Sequence, residues 1–94
     1  MLKITENFEN GKTVRLRLDG TLSNETLAEL IHAFLPYRDG VERTIIIDMA
    51  SVDFMNDRAA RELINMRSEH LRIINCSPFI ATLLETYSKG AAVE

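Results

Sequence analysis

Apolar residues along this chain switch between two spacings, every second position and every third to fourth, and the switches mark out seven elements. Leu2, Ile4 and then Phe8 alternate with Lys3, Thr5 and Glu6 ahead of the turn dipeptide Asn10-Gly11, which predicts a strand and a hairpin turn. Val14, Leu16 and Leu18 alternate strictly with Arg15 and Arg17. That second strand pairs antiparallel with the first, turns both arginines to solvent and ends at Asp19-Gly20. Leu27, Leu30, Ile31 and Phe34 then fall at i, i+3, i+4 and i+7. They predict a first helix capped by Ser23, favoured by Glu25 and Glu29, and limited by Pro36. Asp39-Gly40 signals a loop, and Val41 to Arg43 leads onward.

The stretch from Thr44 to Arg61 organises the rest. Ile45-Ile46-Ile47 is a β-branched run bounded by polar residues, which predicts a strand buried on both faces, as a parallel strand covered by helices requires. A polar elbow follows at Asp53-Phe54-Met55-Asn56-Asp57. Beyond it Ala60, Leu63, Ile64 and Arg67 restore helical spacing, with Asn56 or Asp57 as the cap. His70 links to a fourth strand, Leu71 to Ile74, ending at Asn75-Cys76. Ser77-Pro78 is a helix start, Ile80, Leu83, Leu84 and Tyr87 supply its apolar face, and Gly90 is expected to stop it. The order β-β-α-β-α-β-α predicts an α/β fold: a mixed four-stranded sheet covered by helices, in one domain over residues 1-94 with its core in 2-88 and a frayed tail at 91-94. In such folds ligands and partners approach the carboxyl ends of the strands, which here means the elbow.

Composition narrows the function. The 94 residues are 46% hydrophobic in short runs, far from the ~20 consecutive apolar residues of a membrane span. Eleven basic against 14 acidic residues give a net charge of −3, so no positive field attracts a phosphate backbone and nucleic-acid binding is disfavoured. Arg58, Arg61 and Arg67 share their segment with Asp57, Glu62 and Glu69, the mixed signs of a solvated face. The single cysteine, Cys76, excludes an internal disulfide or a CxxC site and suits a reducing compartment. With no signal-peptide layout at the N-terminus, a cytoplasmic protein is expected.

Catalytic chemistry finds no constellation. His32 and His70 have no carboxylate or cysteine at ligand spacing, so no metal is expected. Glycines stand singly at 11, 20, 40 and 90, so no loop cradles a phosphate and no cofactor is expected. Ser77 before proline is a cap, not a nucleophile elbow. Asp48 and Asp53, at the end of the central strand, are read as structural caps. The chain is not expected to be an enzyme.

Along residues 2 to 88 the pieces resemble a STAS domain, the fold of the bacterial anti-sigma factor antagonists. Val14 to Leu22 resembles the family's strand ending in an acidic-Gly-x-Leu turn, Ile45 to Met55 its central strand and the approach to its switch loop, and Asn75 to Pro78 its turn into the last helix. The resemblance implies a non-enzymatic protein-interaction module in transcription regulation. In kinase-regulated antagonists the switch loop reads Asp-Ser-Ser-Gly and a serine is phosphorylated. Here those positions are Asn56-Asp57-Arg58-Ala59, and no hydroxyl occurs from Phe54 to Met66, so no phosphoserine switch is expected there. Asp57 either mimics the phosphate or caps the helix.

The implied partner is an anti-sigma factor or another ATP-binding regulator, bound without the family's switch. The side chains expected to be exposed and in contact are Met55, Asn56, Asp57, Arg58, Arg61, Glu62 and Asn65, with Leu22 and Ser23 alongside; exposed Met and Arg are enriched at interfaces. Two alternatives stand: a STAS subunit docking on the ATPase of a phospholipid transporter, and a small-ligand sensor. A homodimer through the first strand is a further possibility.

Overall fold

The computed structural model describes residues 2–38, 43–67 and 70–92. The loop expected at Asp39-Gly40 and the last two tail residues lie outside them. Seven elements form: β1 (Leu2–Asn10), β2 (Thr13–Leu22), α1 (Asn24–Arg38), β3 (Thr44–Met55), α2 (Asp57–Met66), β4 (Leu71–Ile74) and α3 (Pro78–Ala92). The sheet order is β1-β2-β3-β4, with β1 and β2 antiparallel and the other two pairs parallel. Order, element types and the mixed sheet agree with the sequence.

Register decides which residues are buried. Leu18 faces Ile4, Val14 faces Ile45, and Ile45 and Ile47 face Leu71 and Ile73. One sheet face therefore gathers Leu2, Val14, Leu16, Leu18, Ile45, Ile47 and Leu71. These join Leu27, Leu30 and Phe34 of α1, Ala59, Ala60 and Leu63 of α2, and Ile80 and Leu84 of α3 in a single core cluster. Right-handed crossovers between successive parallel strands laid in one direction put their helices on one side.

The other sheet face differs from expectation. It carries Lys3, Thr5, Arg17 and Arg72, all exposed, and Ile46 is only half-buried. The isoleucine run is thus covered on one side, with Ile45 and Ile47 inward and Ile46 outward. Arg15 lies on this open face too, about a third exposed, but its guanidinium is held rather than free. Its guanidinium donates to Asp48 Oδ2 from Nε at 3.1 Å and from Nη2 at 2.6 Å, and Nη1 reaches Glu9 at 3.3 Å. Asp48 Oδ1 accepts from the Ala50 N–H at 3.0 Å and from Asn75 Nδ2 at 3.1 Å. This buried carboxylate joins β2, β3 and the turn after β4, where Asn75 takes a left-handed φ of 60°. That conformation is one asparagine tolerates.

Three expected ends move. Gly20, at φ 120°, does not end β2. Register shifts on either side of it let the strand run on to Leu22 beside β3, as bulges do. Proline at 36 does not stop α1, which continues to Arg38: it falls in the last turn, on an exposed face with His32, where the loss of one helical donor is cheapest. Gly90 lies inside α3, where glycine costs about 1 kcal/mol without breaking the helix.

Candidate functional site

Because β2 and β3 are parallel neighbours with Leu22 opposite Met55, their two turns into helices lie side by side. Asn56 ties them together. Its N–H donates to the Leu22 carbonyl at 3.1 Å, its Nδ2 donates to Asn24 Oδ1 at 3.1 Å, and its Oδ1 accepts from the Ala59 N–H at 2.9 Å. Of the two residues offered as cap for α2, Asn56 is the one used. One strand-turn earlier, Thr21 Oγ1 donates to Asp53 Oδ1 at 3.0 Å.

On the α1 side Ser23 occupies the cap position, its carbonyl accepting from the Leu27 N–H at 2.8 Å. The side-chain work belongs to Thr26. Its buried hydroxyl accepts from the Ser23 N–H and donates to the Thr21 carbonyl, each at 2.8 Å. This is one half of a capping box, the third helical residue satisfying the cap residue's donor.

The residues expected at the site divide by exposure. Asp57, Arg58, Arg61 and Asn65 are exposed, and Ser23, Asn56 and Glu62 are half-buried. Leu22 and Met55 are not exposed: at 0% and 1% they belong to the core, because both strands run on and turn these residues inward. Asp57, now the first helical residue, lies near the Tyr87 hydroxyl; partial burial and then its interaction with Asp57 raise the phenol above its ordinary pKa. Arg61 stacks its guanidinium 5.6 Å from the Tyr87 ring. Arg61 thus latches α2 to α3. Arg58, Glu62 and Asn65 make no such side-chain bond among the described residues.

Two residues escaped the sequence. Phe54 and Phe79 are 48% and 51% exposed and stack with ring centroids 5.9 Å apart. With Leu83, Asn24, Asp57 and Arg58 they line an open groove of about 430 Å³. The available signal was that Phe79 lies off the inward stripe of α3, next to Ile80. Among the described residues no group of His, Cys, Asp and Glu suits a metal ion, and no helix is long and apolar enough to cross a membrane.

Cap assignment predicts a difference between neighbours. Asn56→Ala removes the Ala59 acceptor and the Asn24 bridge and is expected to lower stability by about 1–2 kcal/mol. Asp57→Ala gives up one exposed contact and a favourable charge at a helix N-terminus, about 0.5 kcal/mol. Urea unfolding of the two variants checks the order, and a larger loss at Asp57 would move the cap.

No family model matches the chain, and no curated protein matches its sequence. Solved structures do match it. The anti-sigma factor antagonist SpoIIAA in its unphosphorylated form superposes with a TM-score of 0.68 at 19% identity, over 93% of this chain and 84% of that one. An antisigma-factor antagonist STAS domain from Rhodobacter sphaeroides gives 0.51 at 19% identity, over 79% and 86%. A protein with a SpoIIAA-like fold from Shewanella loihica gives 0.52 at 17%, over 83% and 70%. The chain has the STAS-like fold of the anti-sigma factor antagonists. At these identities the likeness speaks for the fold, and the site must speak for the function.

Proposed function

We propose that this chain is a non-enzymatic protein-interaction module of the anti-sigma factor antagonist kind, docking on an anti-sigma factor or another ATP-binding regulator. The contact surface is the paired elbow with the outward side of α2: Ser23, Asn56, Asp57, Arg58, Arg61, Glu62 and Asn65, with Leu22 and Met55 as its buried support. The observation that carries this is the Asn56 side chain, which locks two neighbouring strand-to-helix turns together and leaves Arg58 and Asn65 displayed, with no side-chain hydrogen bond among the described residues. A ledge ordered before binding loses less conformational entropy on contact.

The surface works without a phosphoserine. From Phe54 to Met66 no side chain carries a hydroxyl. Asp57, where a negative charge would imitate phosphate, lies beside the Tyr87 hydroxyl and raises its pKa, which favours an internal role over a displayed mimic. Capture of a protein partner from extract of the source cells, followed by titration with variants, tests both statements. Arg58→Glu is expected to weaken binding at least about tenfold, the scale of one reversed interfacial charge. Asp57→Asn should stay within about threefold, because an amide keeps the side chain's size and its place beside Tyr87. Equal losses at 57 and 58 would restore the mimic, and undiminished binding by both variants would remove the elbow from the interface.

A further inference from the structure

α3 overhangs the last strand of the sheet. One flank of the helix, Ala81, Leu84 and Glu85, bounds a cleft of about 470 Å³ with Leu71, Ile73 and Cys76. Because β4 ends the order β1-β2-β3-β4, this space lies where a further strand would run. Its floor is apolar, with Leu71 and Leu84 buried and Ile73 and Cys76 half-buried. At the opposite edge, β1, the helix side is occupied by Tyr37, which packs on Phe8 and donates its hydroxyl to Glu6.

Backbone pairing tells which groups reach the cleft. The Ile45 N–H donates to the His70 carbonyl at 2.7 Å, and Arg72 is registered against Ile46. Backbone groups alternate sides along a strand, so His70 and Arg72 turn theirs to β3, and Leu71 and Ile73 turn theirs to the outer edge. Leu71 is buried at 3% exposure and Ile73 is half-buried. The N–H and C=O of Ile73 are therefore the accessible pair.

From this arrangement we infer that the outer edge of β4 is a strand-addition site, and that its occupant is an extended segment of a partner protein in which apolar and acidic residues alternate. The site is separate from the elbow. Main-chain bonds hold an added strand, and the surroundings of its alternate side chains choose the sequence. One set of side chains drops beneath α3 into the apolar cleft, whose volume is within the ordinary range for a ligand site. The other set points to the open sheet face beside Arg72, which is exposed and has no carboxylate partner among the described residues. An acidic residue completes that pair. A second copy of β4 fits worse, because its own Arg72 would stand on the same face as this one, and like charges at cross-strand distance repel. Glu85 lies on the helix side of the cleft, away from the acidic positions.

Two capped heptapeptides, Thr-Val-Glu-Val-Glu-Val-Thr and Thr-Val-Lys-Val-Lys-Val-Thr, are the probes, each titrated into the nitrogen-labelled full chain. The glutamate peptide is expected to bind at least about tenfold tighter than the lysine peptide. Amide shifts should fall at Ile73, Cys76 and Ala81, hydrogen exchange at the Ile73 N–H should slow at least about tenfold, and Asn56 and Arg58 should stay still. Arg72→Glu should reverse the order of the two peptides, and Ala81→Phe, which fills the cleft, should abolish binding of both, each with an unchanged circular dichroism spectrum. No binding of the glutamate peptide up to about 1 mM, a preference that Arg72→Glu leaves as it was, undiminished binding to Ala81→Phe, or shifts confined to the elbow would each overturn the inference.

Discussion

Ile47→Ala is expected to lower the unfolding free energy by about 2–5 kcal/mol, whereas Ile46→Ala should cost about 1 kcal/mol or less. The two residues are adjacent in one strand and identical in chemistry, so only their surroundings differ. Ile47 is fully buried, between Leu16 of β2 and Ile73 of β4 in the register and under the helices. Deleting its outer carbons leaves a cavity that β2, β4 and α2 are too constrained to close, and that cavity adds to the lost transfer energy. Ile46 points to the face that carries no helix, beside Arg15 and Arg72. Truncation there removes partly hydrated surface and leaves no cavity. Chemical denaturation of both variants, with midpoints compared at constant m-value, measures the difference. Equal losses would mean that the second face is covered after all.

Asp48→Ala should cost about 2–4 kcal/mol. The substitution strands the Ala50 N–H and the Asn75 amide, and it leaves Arg15 with Glu9 alone. Arg15 is partly exposed and can rehydrate, which keeps the figure below that for a fully enclosed ion pair. Acid provides the second test. Burial alone would raise the Asp48 pKa, but the bonds from Ala50, Arg15 and Asn75 outweigh it and hold the carboxyl below its ordinary value. A depressed carboxylate pKa contributes stability that is present above the unfolded value, near 4, and is lost as pH falls through the folded value. Wild-type stability should therefore drop as pH falls below about 4, and Asp48→Asn, which has no charge to lose, should flatten that limb. An unchanged acid limb in the amide variant would remove Asp48 from the linkage.

How far these features were legible can be traced residue by residue. Alternation in Val14 to Leu18 and helical spacing in Leu27 to Phe34 are local, and they suffice for the elements and their order. Asn56 was legible as one of two caps, since a short amide ahead of an acidic first turn is a cap signal. Burial of Leu22 and Met55 was not legible. Leu22 continues the alternation of Val14, Leu16 and Leu18, but the residues between hid it. Met55 depends on two extra residues in β3, between Asp48 and Ser51 and between Val52 and Phe54, each of which shifts the inward positions by one. The Arg15–Asp48 pair was hidden for a related reason: its members stand 33 positions apart, and parallel register is set by crossovers that sequence does not count out. Coverage of one face only follows from strand order, which the isoleucine run by itself does not reveal. The exposed ring of Phe79 escaped because its neighbour Ile80 satisfies the same helical period.

If the paired elbow is the docking face, nitrogen-edited spectra of the labelled chain titrated with its captured partner show it residue by residue. The account predicts amide shifts concentrated at Ser23, Asn24, Asn56 to Glu62 and Asn65, with Lys3, Thr5, Arg17 and Arg72 on the open sheet face unmoved. Shifts confined to that open face, with the elbow silent, would contradict it.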